Sequence, residues 1–312
     1  MEMKPEKSKE YSSVSIVIPT LNSRKDIVKC LNSIRKLDYP NKYIEIIIWD
    51  NGSADGTQSE VNKIFEEMKK EDWKELSMIQ SKVNLGGFTT RDELFRRINP
   101  NTDYVLNIDD DVFLPGDCLA VLIRRLRQNT GAGIIGPRTV YESNQEETAH
   151  GAGLVNLWVG RYSDIDAGSL VECDYVIGCC MLIKKEVISE IKGFDRDFYT
   201  SHAEVDFCLR AKKRGYKILY DPSIIVRHNV ARGGTKTLER IYYLYRNKLL
   251  VIRKHASLPQ KATTLPLYTV FWLPKMIMDS VRFHRGIKLD EWLVMLKAVR
   301  HAITNRVGKV DL

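Results

Sequence analysis

The chain of 312 residues is poor in the features that would settle its class at once. Its six cysteines (Cys30, Cys118, Cys173, Cys179, Cys180 and Cys208) form no C-x-x-C pair and no zinc spacing. That pattern argues against a disulfide scaffold or zinc module and for buried free thiols in a reducing compartment. There is no G-x-x-x-x-G-K-[ST] phosphate loop and no G-x-G-x-x-G dinucleotide fingerprint. The first eleven residues are charged and carry no apolar run, so no signal peptide is expected and the cytoplasm is the expected location. Internal repeats and low-complexity tracts are missing too.

What is present fits a globular protein. A hydrophobic share of 44% can bury a sizeable core, and the length suits one large domain with an appendage or two small domains. The formal charge of +8 is uneven. From residue 251 onward eleven Lys/Arg stand against four Asp/Glu, so seven of the eight net charges lie in the last 62 residues. A basic tail interleaved with apolar residues favours an anionic surface. No aromatic RNA-binding signature accompanies it, so nucleic acid is not an expected partner.

Apolar runs at residues 14–18, 44–49, 76–79 and 104–108 predict strands, and helical periodicities follow the first three. Ser23-x-x-Asp26 and Thr57-x-x-Glu60 have the form of helix caps. Such alternation predicts βαβ units and a mainly parallel sheet covered on both faces. Ligands then bind beyond the carboxyl ends of the strands. Thr20, Asn22, Asp50, Asn84 and Asp109-Asp110-Asp111 all fall there. The second half predicts a turn-rich stretch at 151–162 and one or two strands around Gly178. A helix at 204–214, two short strands at 218–220 and 224–226 leading to His228, and a longer helix at 238–253 follow.

The three adjacent aspartates carry the most chemistry. They repel one another, and desolvation at a strand end aggravates this until a divalent cation relieves it. Oxygen donors suit magnesium or manganese. Alternate residues of an extended segment point the same way, so Asp109 and Asp111 could chelate together. Glu204, at a helix start, is a candidate general base. Residues 50–56 have the look of a calcium loop, but Gly52 and Val61 stand where two ligands are needed, which excludes it.

Taken in order, these segments resemble the family 2 glycosyltransferases. The resemblance rests on VSIVIPTLN (14–22), IIWDNGSADGT (47–57), NLGG (84–87), VLNIDDD (105–111) with Pro115, and GFD (193–195). It continues through EVDFCLR (204–210) with Gly215 and Tyr216, then His228 and YRN (245–247), and covers roughly residues 14–255. It implies a GT-A fold, an α/β architecture with a mixed, mainly parallel sheet flanked by helices, here with a C-terminal helical extension. The expected organisation is a flexible segment at 1–12, the catalytic domain at 13–255 and a basic helical extension at 256–312.

The resemblance also implies roles. Pro19, Thr20, Asn22, Asp50, Asn84, Arg91, Asp109 and Asp110 are expected around the donor nucleotide, with Asp50 on the base. Asp109, Asp111 and His228 are expected to hold Mn2+ or Mg2+. The family's E-D-x-D element appears as Ala203-Glu204-Val205-Asp206, so Glu204 takes the place of the catalytic aspartate, with Asp206 the alternate. Gly178 and His202 are expected on the acceptor side. The activity implied is inverting transfer of a sugar from a nucleoside diphosphate, UDP by family weight, to a hydroxyl of a glycan or lipid-linked glycan.

Two other classes compete. A nucleotidyltransferase would carry an N-terminal glycine-rich loop with Arg and Lys, and residues 19–22 (PTLN) have none. A non-catalytic sugar-nucleotide or glycan-binding protein would have little use for Asp109, Asp111, Glu204 and His228 together. In the tail, residues 263–281 are apolar but interrupted by Pro266, Pro274, Lys275 and Asp279, too broken for a spanning helix. Two readings remain open: an interfacial helix on an anionic membrane, with Lys275, Arg282, Arg285 and Lys288 nearby, or packing against the domain or a second subunit.

Overall fold

The computed structural model describes residues 11–230, 237–272, 274–275, 278 and 289–310. Most of the expected flexible segment therefore lies outside the described residues, as do Arg282, Arg285 and Lys288 of the tail.

The first half alternates as expected: β1 (Val14–Thr20), α1 (Arg24–Ile34), β2 (Ile44–Asp50), α2 (Thr57–Met68), β3 (Glu75–Gln80), α3 (Gly87–Phe95) and β4 (Tyr104–Ile108). Every residue of β1, β2 and β4 is buried, which is why these strands are continuous apolar runs rather than alternating ones. Residues 112–150, where no element was expected, hold β5 (Val112–Phe113), α4 (Cys118–Gln128), β6 (Ala132–Tyr141) and β7 (Asn144–His150). The turn-rich stretch is a hairpin of β8 (Ala152–Asn156) and β9 (Arg161–Ile165).

The chain continues through β10 (Val171–Cys173), β11 (Cys180–Lys184), α5 (Lys185–Ile191), α6 (Ala203–Lys213), β12 (Lys217–His228), α7 (Leu238–His255), α8 (Leu258–Leu267) and α9 (Leu289–Ile303). The two short strands expected before His228 are one long strand, β12. A register shift between Asp221 and Ile225 absorbs the Pro222 interruption.

A ten-stranded sheet has the order β10-β12-β6-β11-β4-β1-β2-β3, with β5 on β12 and β7 on β6. β4, β1, β2 and β3 are parallel. β11 runs antiparallel to both β4 and β6, making the sheet mixed. Ile27, Leu31, Val61, Leu119 and Leu122 pack on one face. Phe88, Leu94, Val187, Phe194 and Phe207 pack on the other. All six cysteines are unpaired and buried.

Two caps differ from expectation. Ser23 is the N-cap of α1, but its side chain makes no capping bond. Gly56, in a left-handed conformation, caps α2, while Thr57 is its first residue and donates to Asp55 at 2.5 Å. At the C-terminal end α9 packs along α7, burying Ala298 and Val310 against Tyr242 and Tyr243. Among the described residues no helix is long and apolar enough to cross a membrane.

The joint between these helices and the sheet domain is polar and buried. Arg246 is 1% exposed and donates to the carbonyls of Gly308 (2.6 Å) and Asp197 (3.0 Å) and to Asn247 Oδ1 (2.8 Å). Arg246→Met removes every one of these donors and leaves buried acceptors bare. We expect it to lower the unfolding free energy by roughly 3 kcal/mol, read as a drop in denaturation midpoint at unchanged slope.

Candidate functional site

Beyond the carboxyl ends of β1 and β4 opens a cleft of about 560 Å³. Pro19, Thr20, Asn84, Arg91, Asp109 and Asp110 line it, with Tyr199 and Arg240 opposite. Gly86 lies at the base of the Asn84 turn with φ +83, where a Cβ would meet the Tyr199 ring at 2.3 Å, so no side chain fits. Asn22 and Asp50 do not line the cleft. Asp50 is fully buried, its carboxylate bound by Ser53 and Gln58. Asn22 accepts from the Ala54 amide at 2.8 Å and so fastens the β1 loop to the β2 loop.

The aspartate run leaves β4 directly at the cleft. Thr20 donates to Asp110 at 2.5 Å. Burial, reinforced by Asp111 and Asp109, pushes the Asp110 carboxyl up to about 7 against that bond. Burial lifts Asp109 as well, and the Arg91 guanidinium bound to it opposes the rise. Arg91 also donates to Asn107 at 3.0 Å.

His228, at the end of β12, sits 3.1 Å from Asp111 and 3.9 Å from Asp109. One ligand atom from each of Asp109, Asp111 and His228 lies within 4.8 Å of the others. Two carboxylates and an imidazole form a donor set that fits manganese or magnesium. Burial disfavours the charged form of His228, but Cys179 and Asp111 outweigh it and drive the imidazole up to about 11. A divalent cation held by these three residues would take the place of the imidazolium proton.

The carboxylates of α6 have opposite surroundings. Asp206 is 1% exposed and both its oxygens are taken, one by His255 at 2.8 Å and the other by Arg210 at 2.7 Å. Glu204 is also buried, but its Oε2 has no hydrogen-bond partner. Burial raises its pKa, while the charges of Arg91 and Asp109 reach it from the cleft. Gly178 lies against it: a Cβ there would be 3.5 Å from the Glu204 Cβ and 3.2 Å from Phe88. His202 packs edge-on against Tyr162, and burial holds its imidazole neutral, down at about 3.

Three contributors lie outside the sequence expectation. Asn107, inside a buried strand, joins Arg91 to the Gly178 carbonyl (2.6 Å), and its polarity there was a visible signal. Asn51 accepts from the Leu85 amide and the Thr90 hydroxyl, fixing the Asn84 loop. His150, at the end of β7, has its ring 6.3 Å from that of His228, the two tilted at 42°, and it lies near enough to Asp109 and Glu204 to act on both. It belongs to the stretch where no element was expected.

An α/β sheet with an acidic cluster able to hold a metal beside an open cleft has the form of an enzyme site. The Glycosyl transferase family 2 model matches residues 15–192, and the chain belongs to that family of glycosyltransferases. Its fold is GT-A, as the resemblance implied.

Over 238 residues, 72% of each protein, it is 26% identical to the amylovoran biosynthesis glycosyltransferase AmsB of Erwinia amylovora. It is 24% identical over 226 residues to a poly-beta-1,6-N-acetyl-D-glucosamine synthase of Staphylococcus epidermidis, covering 68% of this chain but 49% of that protein. The fold is similar to the Pyrobaculum calidifontis mannosyltransferase PcManGT in complex with GDP-Man and Mn2+, with TM-score 0.61 and 17% identity. That match covers 94% of this chain and 81% of the other. It is also similar to S. aureus TarS 1-349 in complex with UDP-GlcNAc, with TM-score 0.60, 17% identity and the same coverage.

The Asp206 ion pair makes a stability prediction. Burial opposes its charge, but His255 and Arg210 hold its pKa below the ordinary value. Asp206→Asn removes the charge from a buried carboxylate bonded to the half-buried Arg210 and to His255, and should cost roughly 3 kcal/mol. A depressed carboxylate stabilises the fold above its unfolded pKa and loses that contribution as pH falls through the folded one. Thermal unfolding should therefore show the gap between wild type and Asp206→Asn narrowing only below about pH 4.

Proposed function

We propose that the protein is an inverting glycosyltransferase. It would move a sugar from a nucleoside-diphosphate donor, UDP-linked, to an acceptor hydroxyl on a glycan or lipid-linked glycan. The observation that carries this reading is the convergence of Asp109, Asp111 and His228 at the cleft lined by Thr20, Asn84 and Arg91. The binding of UDP-GlcNAc by TarS and of GDP-Man with Mn2+ by the mannosyltransferase supports it.

In this reading Asp109, Asp111 and His228 hold Mn2+ or Mg2+. When bound, the cation supplies Lewis-acid stabilisation of the charge that develops on the departing diphosphate. Thr20, Asn84 and Asp110 position the nucleotide, and Arg91 keeps Asp109 aimed at the cleft. Glu204 takes the proton of the acceptor hydroxyl through its unpartnered oxygen. The engaged oxygens of Asp206 leave it the task of fixing α6. One base and one direct displacement invert the anomeric centre without a covalent enzyme intermediate.

The test is a donor screen scoring nucleoside-diphosphate release with and without Mn2+. Asp111→Ala should lose the metal response. Glu204→Gln should slow transfer by on the order of 10²–10⁴-fold while still binding donor. Release untouched by chelator and by both substitutions overturns the mechanism. Because burial raises the Glu204 pKa, kcat/KM should fall with decreasing pH at a value above the usual carboxylate range. That limb should vanish from the residual activity of Glu204→Gln.

A further inference from the structure

The C-terminal helices carry an apolar surface that the site does not use. Of the sixteen large apolar side chains exposed among the described residues, nine fall between 258 and 303. That density on a small part of the chain sets the region apart from the scattered exposure normal elsewhere.

α9 has two apolar faces. Met295, Ala298 and Ala302 point inward and are buried. On the opposite side Leu289, Leu293, Leu296 and Ile303 follow one another at spacings of four, three and seven, a single stripe of helix. They are 62%, 56%, 52% and 69% exposed. Arg300 lies on the same stripe and is exposed.

The segment after α8 divides in the same way. Tyr268 is buried and Trp272 donates its indole N–H to the Val159 carbonyl at 2.8 Å. Val270 and Phe271, between them, are 63% and 64% exposed. Tyr268, Trp272, Val299 and Ala302 share one cluster, so the two outward-facing sets sit on neighbouring elements. One side of the tail thus packs on the domain and the other faces outward.

We propose that this outward surface docks on an anionic lipid bilayer, with Leu289, Leu293, Leu296, Val270 and Phe271 entering the headgroup boundary. Charge complementarity favours an anionic bilayer over a neutral groove or a second copy of the same basic surface: the last 62 residues hold seven of the chain's eight net positive charges. On α9 Glu291 is buried and the exposed Asp290 sits in the first turn to one side of the apolar stripe, while Arg300 lies on the stripe and faces outward. An arginine in such a stripe extends its guanidinium to the phosphates while its stem stays apolar. Tyr199, a wall of the donor cleft, belongs to the same cluster as Val294 and Ala298 of α9. Docking would therefore bring the cleft near a membrane-borne acceptor; this consequence rests on the transferase reading, the surface does not.

The test is cosedimentation of the full chain with vesicles of phosphatidylglycerol and phosphatidylcholine against phosphatidylcholine alone. The wild type should bind the anionic vesicles, less so as salt rises. The double variant Leu293→Glu/Leu296→Glu should bind about tenfold or more weakly, with donor turnover in solution unchanged. Phe271→Ser should weaken binding without the risk to α9. On the wild type, amide exchange across residues 289–303 should slow when vesicles are added, a readout that no variant's folding affects. Equal binding by wild type and both variants, or no binding by the wild type, overturns the proposal. A dimer that the double variant dissolves, without vesicle binding by the wild type, overturns it in favour of a second copy. Vesicle binding with no donor turnover would leave the surface standing and the transferase reading refuted.

Discussion

Three consecutive carboxylates at the buried end of β4 cannot be held there without partners, and the surrounding topology supplies a different one to each. Thr20 comes from β1, Arg91 from α3 and His228 from β12, 117 positions after Asp111 in the chain. The antiparallel pairing of β5 with β12 sets His228 opposite Val112, next to the aspartates. The Asn229 amide completes the link by donating to the Asp111 carbonyl at 3.0 Å. A sheet that lost this pairing would leave the aspartates as a repulsive loop. With it, the same residues become a compact donor set whose charge a divalent cation can balance.

A second constraint is backbone strain beside the candidate base. Ser201 and His202 are both left-handed, at φ 54 and 61, immediately before α6. Non-glycine residues pay of order 1 kcal/mol or more each for this, so the surrounding structure must over-determine the turn. Asn247 does so by donating to the carbonyls of Thr200 and Ser201, and Arg246 holds Asp197 just upstream. The YRN element thus acts at a distance from the cleft: α7 fixes the turn that aims Glu204.

Legibility in the sequence followed the strength of each physical signal. β1 to β4 were clear because strands buried on both faces must be apolar throughout. The acidic run was clear because carboxylates abutting such a strand have no structural purpose. Residues 112–150 went unassigned although the amphipathic α4 is legible there: β6 pairs in both senses, and β7 is largely polar and partly exposed. His150 was hidden with them. Pro222 suggested two strands because a central strand seldom admits proline, whereas a register shift accommodates it here. The contrast between Glu204 and Asp206 was also out of reach, since it depends on His255 and Arg210 closing over one carboxylate and not the other.

The C-terminal helices reach the cleft directly, through Glu239 and Arg240 of α7, and indirectly through Tyr199. Tyr199 walls the cleft and its ring fills the space beside Gly86, so its position helps set the width available to a nucleotide. That ring is held by Tyr242 and Tyr243 of α7 and, through them, by Ala298 of α9 and Val310. Removing the helices would release the ring and strip the turn at Ser201 and His202 of its α7 partners. The inner face of α9 therefore answers to the cleft. Its outer leucines have no such duty, and among the described residues they stay exposed, an apolar face open to a surface supplied from outside.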